Sequence, residues 1–258
     1  MIQRIIHERP AKLFLFLSAF FVANALIAEC IGGKLFSLEE LLGFTPSPFT
    51  LLGETGLTIT LTCGALLWPL EFVMTDIVNE YYGPKAVRRI SYVAIGLISY
   101  AFLMFYIAIN IPPEKSFWVS SQQAEGVPDL QAAFSSIFGQ GMWIIFGSLI
   151  AFGIAQILDV WVFHKIKKYT GEKKIWLRAT GSTMVSQLID SFIVLFIAFY
   201  IGRDWSMQRV LAIGLVNYGY KAAMAILLTP LIYLAENRIE RYLGAEKVRE
   251  MKQAAMAH

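Results

Sequence analysis

The clearest chemical signal in this sequence is a pair of repeated dyads, Gln156-x-x-Asp159 and Gln187-x-x-Asp190. An i, i+3 spacing sets both members on one helix face. An amide beside a carboxylate presents hydrogen-bond donors and acceptors together, a combination suited to holding a polar ligand. Further polar groups sit in apolar surroundings: Glu71, Asp76, Asn79 and Glu80, then Asn217 and Lys221, with Asn24 and Glu29 earlier. Glu71, Asp76, Asp159 and Asp190 stand against a single base, Lys221. One lysine cannot neutralise them all, so some carboxylates are protonated, wet or waiting for a ligand. The competing reading is helix glue, in which polar side chains bridge helices for roughly 0.6 kcal/mol each and Lys221 neutralises Asp190 or Asp76. Glue accounts for any one residue. A polar cavity facing a substrate accounts for the set.

Several chemistries are excluded. There is no Gly-x-x-x-x-Gly-Lys-Ser/Thr loop to cradle a nucleotide phosphate and no Gly-x-Ser-x-Gly nucleophile turn. His7, His164 and His258 fall outside the apolar runs, which argues against an intramembrane metal centre. The chain is not expected to be an enzyme, to bind a metal or to need a cofactor.

The elements that must position these residues are apolar. Of 258 residues, 57% are apolar and 16% charged, and the mean hydropathy is +0.57. Soluble domains carry about a quarter charged residues, so the polar surface is too small for a water-soluble shell. Six apolar runs approach the roughly 20 residues needed to cross about 30 Å of hydrocarbon: Leu13–Gly33, Leu57–Val78, Ile90–Ile111, Met142–Phe163, Ala179–Ile201 and Val210–Ala235. In lipid each run must satisfy its own backbone, which makes helices of them. The expected fold is an all-α polytopic membrane protein, a single six-helix domain over residues 1–258. Ala23-Asn24-Ala25 resembles a signal-peptide cleavage site, but the first run continues to Ile31, which favours a retained helix. Cys30 and Cys63 fall toward the outer helix ends, as free thiols or a disulfide. Between the third and fourth runs, Val127, Leu130, Phe134, Ile137 and Phe138 recur near helical spacing and predict a short amphipathic helix closed by Gly139. Residues 44–53, with Pro46, Pro48 and Gly53, should be irregular.

Basic residues set the orientation. Arg4, Arg9 and Lys12; Lys85, Arg88 and Arg89; Lys165, Lys167, Lys168, Lys173, Lys174 and Arg178; and Arg238, Arg241, Lys247, Arg249 and Lys252 make 17 of the 22 on one side. Lys34, Lys115, Arg203 and Arg209 make four on the other. The positive-inside rule places both termini in the cytoplasm. The net charge of +3 reflects this topology and carries no nucleic-acid signal. Gln156 lies nine residues before Lys165 and Gln187 nine after Arg178, so both sit roughly 13 Å from the cytoplasmic boundary. They are expected to face one another across a shared cavity.

Three stretches carry a family resemblance. Trp68–Gly83 (WPLEFVMTDIVNEYYG), Ala155–Phe163 (AQILDVWVF) and Trp176–Ser191 (WLRATGSTMVSQLIDS) resemble the signature of the queuosine precursor transporters, also called the vitamin uptake transporter family. Tyr220-Lys221 and Thr229-Pro230 fit as well. The resemblance spans nearly the whole chain. It implies a multi-pass carrier of the bacterial inner membrane importing 7-deazaguanines, such as the 7-cyano and 7-aminomethyl forms or queuine. The alternative it leaves open is the substrate-binding membrane subunit of an ATP-driven importer with a separate energising partner. Glu71 departs from the pattern, which usually has an uncharged residue there, and this points to a substrate bearing an amine.

The implied ligand suits the residues. A deazaguanine presents a ring N–H beside an exocyclic amine, and a carboxylate accepts both as a bidentate pair. Gln156, Asp159, Gln187 and Asp190 are the expected recognition residues. Glu71, Asp76, Asn79 and Lys221 are expected as gate or charge network, with Phe72, Phe152 or Tyr220 to stack on the ring. The expected partners are this purine-like molecule, the lipid bilayer, a coupling proton carried first by Asp76, and a second copy of the chain in a homodimer.

Overall fold

The structure, a computed structural model, describes residues 8–139, 142–170 and 175–256. Arg4, His7, Lys173, Lys174 and His258 lie outside the described residues.

Helix α1 (Arg9–Ile31) begins at Pro10, whose missing N–H costs nothing in a first turn, and ends before Gly32. At 1.5 Å per residue its 23 residues reach about 34 Å, enough to cross hydrocarbon. Strand β1 (Leu35–Ser37) follows, then one helical turn capped by Ser37, then a hairpin of β2 (Phe49–Leu51) and β3 (Glu54–Leu57). The hairpin turns through Leu52 and Gly53, both at positive φ. Residues 49–51, expected to be irregular, are therefore a strand, because this turn brings Glu54–Leu57 alongside them.

The second apolar run is not one helix, and this corrects the sequence reading. Its start forms β4 (Thr60–Thr62), antiparallel to β1, then a 3-10 turn (Cys63–Leu66). Only then does α2 (Trp68–Tyr82) begin. Thr58, Ile59, Thr60 and Thr62 are β-branched and fit a pleated strand better than a helix. With 15 residues α2 is about 22 Å long, short of the hydrocarbon thickness. Every residue from Glu71 to Tyr81 is buried. The element runs through the middle of the bundle, against α1, α3 and the C-terminal helices.

Gly83 turns the chain at φ +80°, where a Cβ would also lie 3.3 Å from the Ala255 carbonyl oxygen, and α3 (Pro84–Asn110) starts at once. Tyr82 donates to the Pro10 carbonyl at 2.7 Å, so α1 and α3 begin at the same end of the bundle. The expected amphipathic helix is α4 (Leu130–Phe138), capped by Asp129 and closed at Gly139; Phe138 packs 4.8 Å from Phe105 of α3. Helix α5 (Met142–Thr170) and α6 (Ile175–Leu195), which continues as a π-helical turn to Ile201, pair along their length. Helix α7 (Met207–Leu227) packs on α6. The sixth apolar run is broken at Leu228: Pro230 opens a separate helix, α8 (Thr229–Leu243), followed by α9 (Ala245–Met256).

Among the described residues, five helices are long and apolar enough to cross a membrane: α1, α3, α5, α6 with its π turn, and α7. Their outer faces expose Leu15, Phe16, Tyr92, Leu103, Phe146 and Trp161. The chain is thus a mostly helical, multi-pass membrane protein, with four short strands where an all-α fold was expected. Cys30 and Cys63 are free thiols.

Candidate functional site

The polar residues gather where α2 meets α5 and α6. Asp76 and Asp159 are buried and lie within electrostatic reach of one another. Ser186 of α6 donates to Asp159 Oδ1 at 3.2 Å, and the hydroxyls of Thr183 and of Ser182, which donates to the Ala179 carbonyl at 3.1 Å, lie close to the same carboxylate. These hydroxyls, one turn apart on α6, are a feature the sequence reading passed over; serine and threonine at Ser182-Thr183-x-x-Ser186 was the signal available. Gln156 and Gln187 are buried on α5 and α6 as expected.

Much of this set is unsatisfied. Asp76 Oδ1, Asp159 Oδ2, Gln156 Oε1, both polar atoms of Gln187 and the Ser191 hydroxyl are buried without a hydrogen-bond partner. Each such atom costs about 1–3 kcal/mol. Native interiors hold only a few per hundred residues, and here several share three adjoining helices. Such a concentration could be met by a polar ligand or by water.

A narrow cavity opens beside the cluster, walled by Phe72 and Asp76 of α2, Thr180 and Thr183 of α6, Lys221 of α7 and Ile232 of α8. Its volume is about 20 Å³. That is room for a water or two. A bicyclic molecule enters only if the helices part. Of the expected site residues the cavity exposes Asp76 and Lys221 on its wall; Gln156, Gln187 and Asp159 lie outside that wall.

The remaining expected residues have other neighbours. Lys221 forms an ion pair with Asp190, which settles its partner as Asp190 rather than Asp76. Glu29 of α1 bonds Ser148 of α5 and lies within reach of Asp190. Glu71 faces α1, where Asn24 Nδ2 donates to its Oε2 at 2.8 Å and to the Leu67 carbonyl at 3.2 Å. Asn79 meets His164 at 2.9 Å. His164 is therefore part of the buried polar network, contrary to its expected place outside the core. Phe152 packs against Trp68 and Phe21, and Tyr220 reaches the Ala65 carbonyl, so of the three aromatics only Phe72 borders the cavity.

A further group escaped the sequence reading. Arg178 and Lys167, taken as loop charges, are buried at the end of the bundle where α1 begins. Arg178 donates to both oxygens of Glu80, at 2.8 and 3.1 Å, and Lys167 lies 3.0 Å from the same carboxylate. Glu80, buried in the run Asn79-Glu80-Tyr81-Tyr82, required such partners. The census of four acids against one base is revised accordingly. Three more cations are buried, yet Glu80 engages Arg178 and Lys167, and Glu236 and Glu240 engage Lys252. Among the described residues no cation pairs with Glu71, Asp76 or Asp159, although Arg178 lies within electrostatic reach of Asp76.

Comparison with known proteins follows the same segments. The family model described as "Putative vitamin uptake transporter" matches residues 62–235, from β4 into α8. A protein of Bacillus subtilis (strain 168) named "Probable queuosine precursor transporter" is 32% identical over 186 residues, 70% of this chain and 74% of the relative. The "Queuosine precursor transporter" of Escherichia coli (strain K12) is 29% identical over 74% of this chain and 79% of its own. A third relative, from Haemophilus influenzae, is 27% identical over 65% of this chain and 64% of its own. No solved structure matches the chain.

Proposed function

This chain belongs to the vitamin uptake transporter family, and on that footing we propose that it imports 7-deazaguanine precursors of queuosine across the bacterial inner membrane. The observation that carries the reading is the cluster of buried, unpartnered hydrogen-bonding atoms on Asp76, Gln156, Asp159 and Gln187. A 7-deazaguanine supplies what they lack. Its ring N–H and exocyclic amine are two parallel donors for one carboxylate. Asp159, its side chain oriented by Ser186, is the first candidate to accept them. Gln156 and Gln187 present both donor and acceptor to the carbonyl edge. Phe72, on the cavity wall, is placed to cover a ring face.

In the transport cycle α2 is the element that must yield. It is short, buried on all sides and flanked by the breaks at Leu67 and Gly83, and broken helices of this kind line substrate paths in other carriers. Parting α2 and α8 from α6 and α7 widens the narrow cavity. The five long helices are completed to six crossings by α2 with its preceding 3-10 turn. The remaining basic bias still supports cytoplasmic termini: removing the buried Arg178, Lys167 and Lys252 from the 17 leaves 14 against four. Asp76, on the cavity wall and without a paired cation among the described residues, is the proposed site of a coupling proton.

The test is uptake of radiolabelled 7-cyano-7-deazaguanine into proteoliposomes holding this chain alone. Uptake above empty vesicles, competed by the 7-aminomethyl form and not by adenine, is expected. No uptake by well-folded protein would sink the reading of a self-sufficient carrier. Accumulation under an acid-outside gradient, abolished by a protonophore and by Asp76→Asn, is expected of proton coupling; equilibration indifferent to the gradient would refute it.

A further inference from the structure

A second recess lies on the outside of the bundle, between α1 and α3, away from the cavity. Its volume is about 430 Å³, and it is open on one side. Both helices start at the same end, so their residues rise together. Phe14, Ser18 and Val22 recur every fourth residue on α1, while Lys85, Arg89 and Val93 do so on α3, with Ile90 beside them. The recess is therefore graded. Lys85 and Arg89 lie in the first two turns of α3, and Val93 lies about 12 Å beyond the first and about 6 Å beyond the second.

The charges at the mouth are uncommitted. Lys85 and Arg89 are exposed, and no carboxylate among the described residues pairs with either. Lys252 of α9, by contrast, binds Glu236 and Glu240. The Ser18 hydroxyl, on the recess wall, is without a partner. An apolar trough capped by two free cations, on a surface that faces lipid, matches one molecule. That molecule has an anionic head at the membrane interface and a hydrocarbon tail below it.

We propose that this recess binds one anionic glycerophospholipid, its phosphate held by Lys85 and Arg89 and one acyl chain lying along Phe14, Val22, Ile90 and Val93. The direction suits as well: both the trough and the first part of an acyl chain run from the interface inward. The head lies beside Tyr82 and the Gly83 turn, which join the central α2 to α3. A lipid seated there would brace the same turn that α2 must pivot on. The inference needs only that the chain lies in a bilayer, so lipid retention tests it without any transport substrate.

The experiment is native mass spectrometry of the full chain in detergent, supplied with dioleoylphosphatidylglycerol or dioleoylphosphatidylcholine. One retained phosphatidylglycerol, preferred over phosphatidylcholine, is expected. Each basic residue near an anionic headgroup contributes about fivefold, so Lys85→Gln/Arg89→Gln should weaken retention about thirtyfold. Arg238→Gln/Arg249→Gln removes the same charge from exposed sites outside the recess and should leave retention unchanged. Val93→Trp fills the trough without touching the cations and should also displace the lipid. Equal retention of the two lipids would overturn the proposal. So would equal loss in the two charge variants, which would mean a diffuse lipid belt.

Discussion

Glu80 holds Arg178 through two hydrogen bonds, at 2.8 and 3.1 Å, and Lys167 at 3.0 Å, with all three side chains almost wholly buried. Removing one partner of such a group leaves an uncompensated buried charge, at a cost of about 3–5 kcal/mol. Arg178→Met still leaves Lys167 beside Glu80, so its loss should fall near the low end, about 3 kcal/mol. Glu80→Met strands two cations and should cost about 5 kcal/mol or more. Arg178→Lys keeps the charge but not the planar fork that meets both oxygens, and should lie between wild type and Arg178→Met. Replacing Glu80, Arg178 and Lys167 together by apolar residues should recover much of the loss, because no charge is then left unpaired. The assay is reversible unfolding in mixed micelles, followed by tryptophan fluorescence, with cycles built from single, double and triple variants. If Glu80→Met and Arg178→Met each cost less than about 1 kcal/mol, the three groups are hydrated, and the reasoning from burial is wrong.

With Cys30 and Cys63 replaced by serine, a cysteine at Ser120 should react with an impermeant thiol reagent from outside intact cells and one at Tyr169 should not; the reverse pattern overturns the orientation. A Cβ on Gly64 would lie 2.6 Å from the Ala28 carbonyl oxygen, so Gly64→Ala should push the 3-10 turn off α1 and cost about 1–3 kcal/mol, measured by thermal unfolding in detergent. Glu114 is held down at about 2 by the Ser116 hydroxyl and the amides of Trp118, Phe117 and Ser116. A lowered carboxylate contributes in full above its ordinary value of 4.5 and loses that contribution as pH falls through about 2. Glu114→Gln should therefore speed amide exchange of Ser116–Trp118 at pH 7 relative to wild type, while at pH 2 and below the difference should shrink; an equal difference at both ends would contradict the assignment.

What the sequence made legible follows from what apolar length and period encode. The runs that became α1, α3, α5 and α6 are long and unbroken, so length alone identifies them. Helix α4 was readable because its period, its Asp129 cap and Gly139 agree. The run over Leu57–Val78 was misread because hydropathy counts Thr58–Thr62 as apolar without registering that β-branched residues facing Leu35–Ser37 form a ladder. The end of α7 was set by Pro230, which a hydropathy average smooths over. In the site, residue type was legible and azimuth was not. Sequence pattern placed Gln156 and Gln187 on apolar helices, but not that Glu71 turns to Asn24 while Asp76 turns to the cavity. Arg178, Lys167 and His164 sit at helix ends, where a basic residue looks the same in sequence whether it points to water or back to Glu80 or Asn79.

The most direct test of the recognition site is uptake of labelled 7-cyano-7-deazaguanine by proteoliposomes bearing wild type, Gln187→Ala or Asp159→Asn, each reconstituted at equal density and shown folded by its unfolding transition. The account predicts that wild type takes up the precursor and that each variant loses at least about fivefold in uptake at limiting substrate, since a lost partner to a buried polar group costs about 1–3 kcal/mol, and more where charge is involved. Variants that fold and transport at the wild-type rate would contradict it, and would return Gln187 and Asp159 to the role of polar contacts between helices.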